Sequence, residues 1–283
     1  MTAEPVVILD GIVFPEGPRW RDGRLFFSDM HAHRVMSVTP RGKAEIVQEF
    51  GGARPSGIGW LPDGRMIVVD MGARKLVRVE GDRLVDHADL SPFAVDDCND
   101  MVIDRRGRAY VGCVTRQRDA DGRQMTTNII LAEPDGTVRV AAAEMRFPNG
   151  SAITADGKTL VVAETMARRL TAFDIAADGG LSNRREFASV HPATPDGICL
   201  DAEGAAWVAS PTTGEFLRVR EGGEVAERIP TPGRMAIACM LGGADRRTLF
   251  LLTATGTLDD INAGKTRGAI ETVGVEVAGA GWP

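Results

Sequence analysis

The chain is predicted to be all-β, a six-bladed β-propeller with four antiparallel strands per blade. Three observations predict it. A motif recurs six times at intervals of about 40 to 50 residues. Within each copy, apolar runs of strand length are separated by tight turns. Helical i, i+3, i+4 spacing is sustained nowhere.

The copies occupy residues 15–29, 55–70, 99–112, 148–164, 195–210 and 236–252. In the first, Pro15-Glu16-Gly17-Pro18-Arg19-Trp20 passes through Asp22-Gly23 into Leu25-Phe26-Phe27-Ser28-Asp29. These two runs make the inner half of a blade. An outer pair follows at 34–38 and 44–49 across Pro40-Arg41-Gly42. Similar pairs fall at 76–79 with 84–86, 128–132 with 137–141, and 216–220 with 225–229. The sixth copy lacks an outer strand after 269–277, and residues 6–9 are expected to supply it. Closing the ring with the N-terminal strand would remove an open sheet edge. The expected unit is a single propeller domain spanning 1–283, a length that repeat folds carry as one core.

Composition narrows the class. With 43% hydrophobic and 25% charged residues and 33 glycines, the chain is an ordinary turn-rich globular protein. No apolar stretch approaches the roughly 20 residues a spanning helix needs. The start, Met1-Thr2-Ala3-Glu4-Pro5-Val6-Val7-Ile8-Leu9-Asp10, lacks the basic and apolar regions of a secretory signal, so a cytoplasmic location is expected. Cys98, Cys113, Cys199 and Cys239 show no C-x-x-C pairing, which suits buried reduced thiols rather than a structural zinc or disulfide framework. A net charge of −6 with dispersed basic residues argues against nucleic acid or anionic membranes as partners. A small molecule is the expected partner, and the chain a monomer or weak homo-oligomer.

The register of the repeat carries the chemistry. At the position aligned with the one before the repeat glycine, the copies hold Glu16, Ser56, Asn99, Asn149, Asp196 and Ile237. The first strand of each propeller blade lines the channel, so Glu16, Asn99, Asn149 and Asp196 are expected to converge at one mouth. Loops at 30–33, 114–126, 165–168, 211–214 and 254–267 should open on the same face. Two carboxylates and two carboxamides gathered there would repel and lack partners without a cation between them. An all-oxygen set suits calcium, magnesium or manganese. Few protein ligands would leave open positions for water or substrate, as in a catalytic metal site. Pro-Asn-Gly and Pro-Asp-Gly are also ordinary turn sequences, but turn chemistry does not ask for Glu16 and Asn99 in register with them.

Phe14-Pro15-Glu16-Gly17-Pro18-Arg19-Trp20, Asn99-Asp100, Pro148-Asn149-Gly150 and Pro195-Asp196-Gly197 resemble the signature segments of the regucalcin and gluconolactonase family, in order and over nearly the whole chain. The resemblance implies one divalent ion held by Glu16, Asn149 and Asp196, with Asn99 binding substrate or a metal-bound water, and lactone hydrolysis as the activity. Glutamate, asparagine and aspartate serve calcium, magnesium, manganese, iron(II) and a catalytic zinc alike. Asp196 is then the general base, taking a proton from the attacking water.

Two positions depart from the family pattern. Where sugar-lactone members carry an arginine two residues before Asn99, Asp97 stands here. A family acidic residue on the next loop is replaced within Thr115-Arg116-Gln117-Arg118. The opposite signs suggest that Asp97 and Arg116 form a swapped ion pair; alternatively Arg116 meets an anionic substrate group. His31, on a loop of the metal face with His33, is either solvated or a substrate contact or proton shuttle. Trp20, Trp60 and Trp207 are expected in packing, and Cys98 and Cys199 between blades. Two other functions fit the fold. One is organophosphate or phosphoester hydrolysis of the diisopropyl fluorophosphatase type, and the other a non-catalytic metal-binding or interaction propeller.

Overall fold

A computed structural model describes residues 4–281. It contains six four-stranded antiparallel sheets, and the sixth is completed by the N-terminal strand. Blades 1 to 6 begin with inner strands Pro15–Arg21, Pro55–Trp60, Cys98–Ile103, Pro148–Ile153, Ile198–Leu200 and Met235–Gly242. Each inner strand pairs with the next strand in sequence, and blades 1 to 5 are simple meanders running outward from the channel.

The outer pairs fall close to their predicted places. Arg34–Val38 and Ala44–Glu49 have the predicted bounds, while the second blade's pair is longer, Lys75–Glu80 with Arg83–Asp89. Strand Val6–Ile12 pairs antiparallel with Arg267–Gly274 and closes the ring. Two features differ from the sequence reading. The closing strand's partner stops at Gly274 rather than 277, and a five-residue helix, Leu258–Asn262, interrupts an otherwise all-β chain. That helix is too short to generate an apolar period. It exists because Thr257 and Asp260 form a reciprocal capping box.

The apolar runs are continuous rather than alternating because both faces of each blade are covered. Leu249, Phe250, Leu251 and Leu252 are successive and all fully buried. Core clusters lie between neighbouring blades, as where Ile67 and Val69 meet Val111 and Ile130. Trp20 stacks on Phe250 at 5.3 Å between ring centroids, and Trp60 meets Phe26 edge-on at 5.1 Å. With Trp207 fully buried, all three are packing residues, as expected. Replacing Phe250 by alanine should cost about 3–5 kcal/mol, readable as a lower midpoint in urea unfolding.

The repeat glycine has a packing reason. A Cβ on Gly57 would lie 2.4 Å from the backbone nitrogen of Met101, and one on Gly197 would lie 2.3 Å from Ala238 Cβ. Inner strands of adjacent blades approach too closely for a side chain there. Cys98 lies 3.8 Å from Cys113, sulfur to sulfur, and Cys199 lies 4.0 Å from Cys239 on the next blade. All four are free and buried, with no helix of the described residues long and apolar enough to cross a membrane.

Candidate active site

The first three inner-strand ends that matter are irregular. Register breaks occur between Glu16 and Arg19, between Cys98 and Met101, and between Pro148 and Ser151. Such bulges re-aim side chains at a rim. Here they turn Glu16, Asn99 and Asn149 into one cavity, which Asp196 joins from blade 5. Its volume is about 510 Å³. Asp97, Arg116 and His31 line it as well, so all seven sequence-predicted site residues are brought together.

A relay of hydrogen bonds runs around the mouth from blade to blade. Ser28 Oγ donates to Ser56 O at 2.6 Å, and Ser56 Oγ donates to Asn99 Oδ1 at 3.0 Å. Asn99 Nδ2 donates to Asn149 Oδ1 at 2.9 Å, and Asn149 Nδ2 donates to Thr165 Oγ1 at 3.3 Å. Thr165 Oγ1 in turn donates to Pro195 O at 2.7 Å. Both carboxamides are thereby oriented, and Asn149 Oδ1 keeps a second lone pair for another partner.

The carboxylates are not so provided for. Asp196 Oδ1 is buried with no hydrogen-bond partner. Burial, reinforced by the charge of Asp100, pushes the Asp196 carboxyl up to about 8, although a hydrogen bond from Asn149 opposes the rise. Burial also raises Glu16 well above the carboxylate range, with further push from Asp196 and Asp100. Beneath them, Arg19 Nη2 donates to Asp100 Oδ1 at 2.8 Å and to Met101 O, so blades 1 and 3 are tied across the channel. Arg19 and Asp100 are both buried, and Arg19 compensates Asp100 rather than Asp196. The mouth therefore has a desolvated carboxyl pair, offset only in part at Glu16 by the Gly17 N–H and the charge of Arg19, and one orphaned oxygen on Asp196.

That arrangement fits a divalent cation. Among the described residues no three His, Cys, Asp or Glu side chains gather as a metal-binding group. An ion at this mouth would therefore rest on two carboxylates completed by the Asn149 carboxamide. Such oxygen donors favour a hard cation.

The expected Asp97–Arg116 pair is not formed. Asp97 Oδ2 instead accepts from Arg54 Nη2 at 2.8 Å. Arg54 stands two residues before Ser56 as Asp97 stands two before Asn99, so the two meet at the entries to neighbouring inner strands. Arg116 projects from the loop beyond Val114, exposed on the cavity wall. His31 is half-buried, edge-on to Phe14 at 5.9 Å. Burial, with the nearby charge of Arg54, lowers its pKa, so the ring is neutral at pH 7. His33 turns away and bonds Ala53 O at 2.9 Å through Nδ1.

Sequence reasoning passed over several lining residues: Arg54, Asp96, Phe147, Met30, Met71 and Ile261. The signal for two of them was present. Shifting the repeat register back by two gives Arg54, Asp97 and Phe147, each at the entry to an inner strand. The helix Leu258–Asn262 carries Ile261 and Asn262 into the cavity from the predicted loop 254–267.

A closed six-bladed propeller with an oxygen-donor cluster at one channel mouth defines a class of small-molecule-binding propellers. The family is also identified: the profile described as "SMP-30/Gluconolactonase/LRE-like region" matches residues 14–255, and the chain belongs to that family. Its relatives include a 6-deoxy-6-sulfogluconolactonase of Pseudomonas putida, 28% identical, with 88% of this chain and 86% of that protein covered. The pentonolactonase XacC of Haloferax volcanii is also 28% identical, over 93% and 91% of the two chains. Among solved structures, the calcium-binding protein regucalcin from Agrobacterium tumefaciens superposes with a TM-score of 0.79 at 20% identity, covering 100% and 97% of the chains. A gluconolactonase, XC5397 from Xanthomonas campestris, superposes with a TM-score of 0.73 at 26% identity, covering 94% and 88%.

Proposed function

We propose that this protein is a divalent-metal-dependent hydrolase that opens a lactone, with Glu16, Asn149 and Asp196 as the metal ligands. The observation that carries the reading is the buried Asp196 oxygen without a partner beside a second desolvated carboxylate, Glu16. Relatives named as lactonases support the same reaction class. When bound, the ion supplies Lewis-acid polarisation of the lactone carbonyl and neutralises the carboxylate pair.

The remaining steps belong to the chain. Asp196 accepts a proton from the attacking water as the new carbon–oxygen bond forms. Asn99, held between Ser56 and Asn149, orients the carbonyl or the water. As the ring carbon–oxygen bond breaks, Asp196 returns the proton to the departing ring oxygen. Neutral His31 offers a hydrogen bond to the substrate. Asp97 shapes the wall through Arg54, and Arg116 is the cavity cation whose side chain has no ion pair among the described residues, free to meet a substrate oxygen or anionic group.

Stripping the protein with chelator and restoring each divalent ion in turn tests the reading on a panel of lactones and phosphoesters. Chelation is expected to lower lactone turnover by about 100-fold or more, with recovery on adding one ion. Calorimetric titration should show one ion bound per chain. Lactone turnover indifferent to chelator would overturn the metal assignment.

A further inference from the structure

We infer that the preferred substrate is a lactone carrying an apolar substituent on its ring, not a polyhydroxylated sugar lactone; this rests on the lactonase reading above and adds the substrate class.

Apolar side chains line part of the cavity. Met30, Met71, Val114, Phe147 and Ile261 all face it. Met30 and Met71 belong to one apolar cluster, against which Ile261 packs. Methionine and phenylalanine offer adaptable, polarisable contact to an alkyl or aryl group. The volume, about 510 Å³, lies in the ordinary range for ligand sites and exceeds what a bare lactone ring fills.

Phe147 is the most telling of these residues. Its φ is +60°, a left-handed conformation that a bulky residue rarely adopts. Both flanks are pinned by the neighbouring strand and turn: Thr165 N donates to Phe147 O at 3.1 Å and Arg146 N donates to Glu164 Oε2 at 2.8 Å. Backbone held this way against its own preference commonly serves a site. Here it sets an aromatic ring, half-buried, on the cavity wall two residues before Asn149.

The polar wall points the same way. A sugar lactone needs free donors and acceptors for each hydroxyl, because a buried polar group without a partner is costly. Beyond His31, Arg116 and Asn262, several of those present are already engaged with one another. Arg54 and Asp97 pair at 2.8 Å. Asp96 accepts from Thr115 Oγ1 at 2.5 Å and from Gln117 Nε2 at 2.9 Å. Asn99 is spanned by Ser56 and Asn149. A polyhydroxylated ring would have to compete for these groups.

The test compares three six-membered lactones: the unsubstituted ring, the same ring bearing a pentyl group, and a polyhydroxylated aldonolactone. The metal-loaded protein is expected to show a kcat/KM for the pentyl lactone about 10- to 200-fold above the other two. Phe147→Gly removes the aromatic ring while placing at φ +60° the residue that adopts it freely, so folding is not threatened. That variant should lower the ratio of pentyl to unsubstituted kcat/KM by about tenfold and still unfold as a single cooperative transition. Equal or faster turnover of the aldonolactone by the parent would overturn the inference, as would a pentyl-to-unsubstituted ratio left unchanged by Phe147→Gly. Calorimetric binding of the matching non-hydrolysable lactams separates this from the lactonase reading. If no lactone is opened but the pentyl lactam still binds more tightly through Phe147, hydrolysis fails and the apolar wall stands; if the pentyl group gives no gain in binding, the wall falls whatever is hydrolysed.

Discussion

Asparagine in place of Asp196 is expected to lower kcat/KM by about 10²- to 10⁴-fold, the range that a positioned general base supplies. The substitution keeps the shape and one oxygen donor but removes the group that accepts the proton. Asp196 is buried and its Oδ1 has no partner, so that oxygen is open to accept the proton. Removing a negative charge from the ligand set should also weaken divalent-ion affinity. Steady-state kinetics at saturating ion separates the two losses, and calorimetry measures the second. Turnover within about tenfold of the parent under those conditions would remove Asp196 from the role of base.

The second large effect is on the stability of the metal-free protein as pH rises. The Asp196 carboxyl is raised from 3.8 to about 8 in the folded state, chiefly by burial, and Glu16 is raised well above its ordinary value for the same reason. Between the unfolded and folded values the native protein holds more protons than the unfolded chain, so unfolding free energy falls as pH increases. The contribution of this pair is therefore greatest near pH 4 and declines toward pH 8, while carboxyls held below their ordinary values, such as Glu164 and Asp174, contribute the opposite slope at the acid end. For Asp196 alone the change is of order 5 kcal/mol. A divalent ion replaces the protons, so it should raise the melting temperature most at the alkaline end. Asp196→Asn should flatten the pH profile of the ion-free protein. If the melting temperatures of ion-free parent and Asp196→Asn run parallel from pH 4 to pH 8, the raised Asp196 carboxyl is contradicted.

Much of this was legible in one dimension. Strand length between Asp-Gly turns, the sixfold spacing and the unpaired final strand led to the closed ring, because each blade repeats the same burial problem and solves it with the same pattern. Glu16, Asn99, Asn149 and Asp196 were legible as one site because register along a channel-lining strand converts equivalent sequence positions into neighbours in space. The pairing of Asp97 was misread. Charge complementarity suggested Arg116, but Arg54 reaches Asp97 first, from the equivalent position on the adjacent blade. The helix Leu258–Asn262 was missed because one turn and a half carries no periodicity, only its capping box.

The sequence by itself determined the scaffold and the residues that meet at its mouth, since both follow from patterns that repeat along the chain. Tertiary structure alone decided how those residues are supported. Arg19 crossing from blade 1 to Asp100 on blade 3, the ends of the relay at Ser28, Thr165 and Pro195, and Phe147 held at φ +60° by Thr165 are contacts that the repeat pattern does not announce. Such contacts depend on how closely the blades approach around the channel, a distance set by packing of the whole ring.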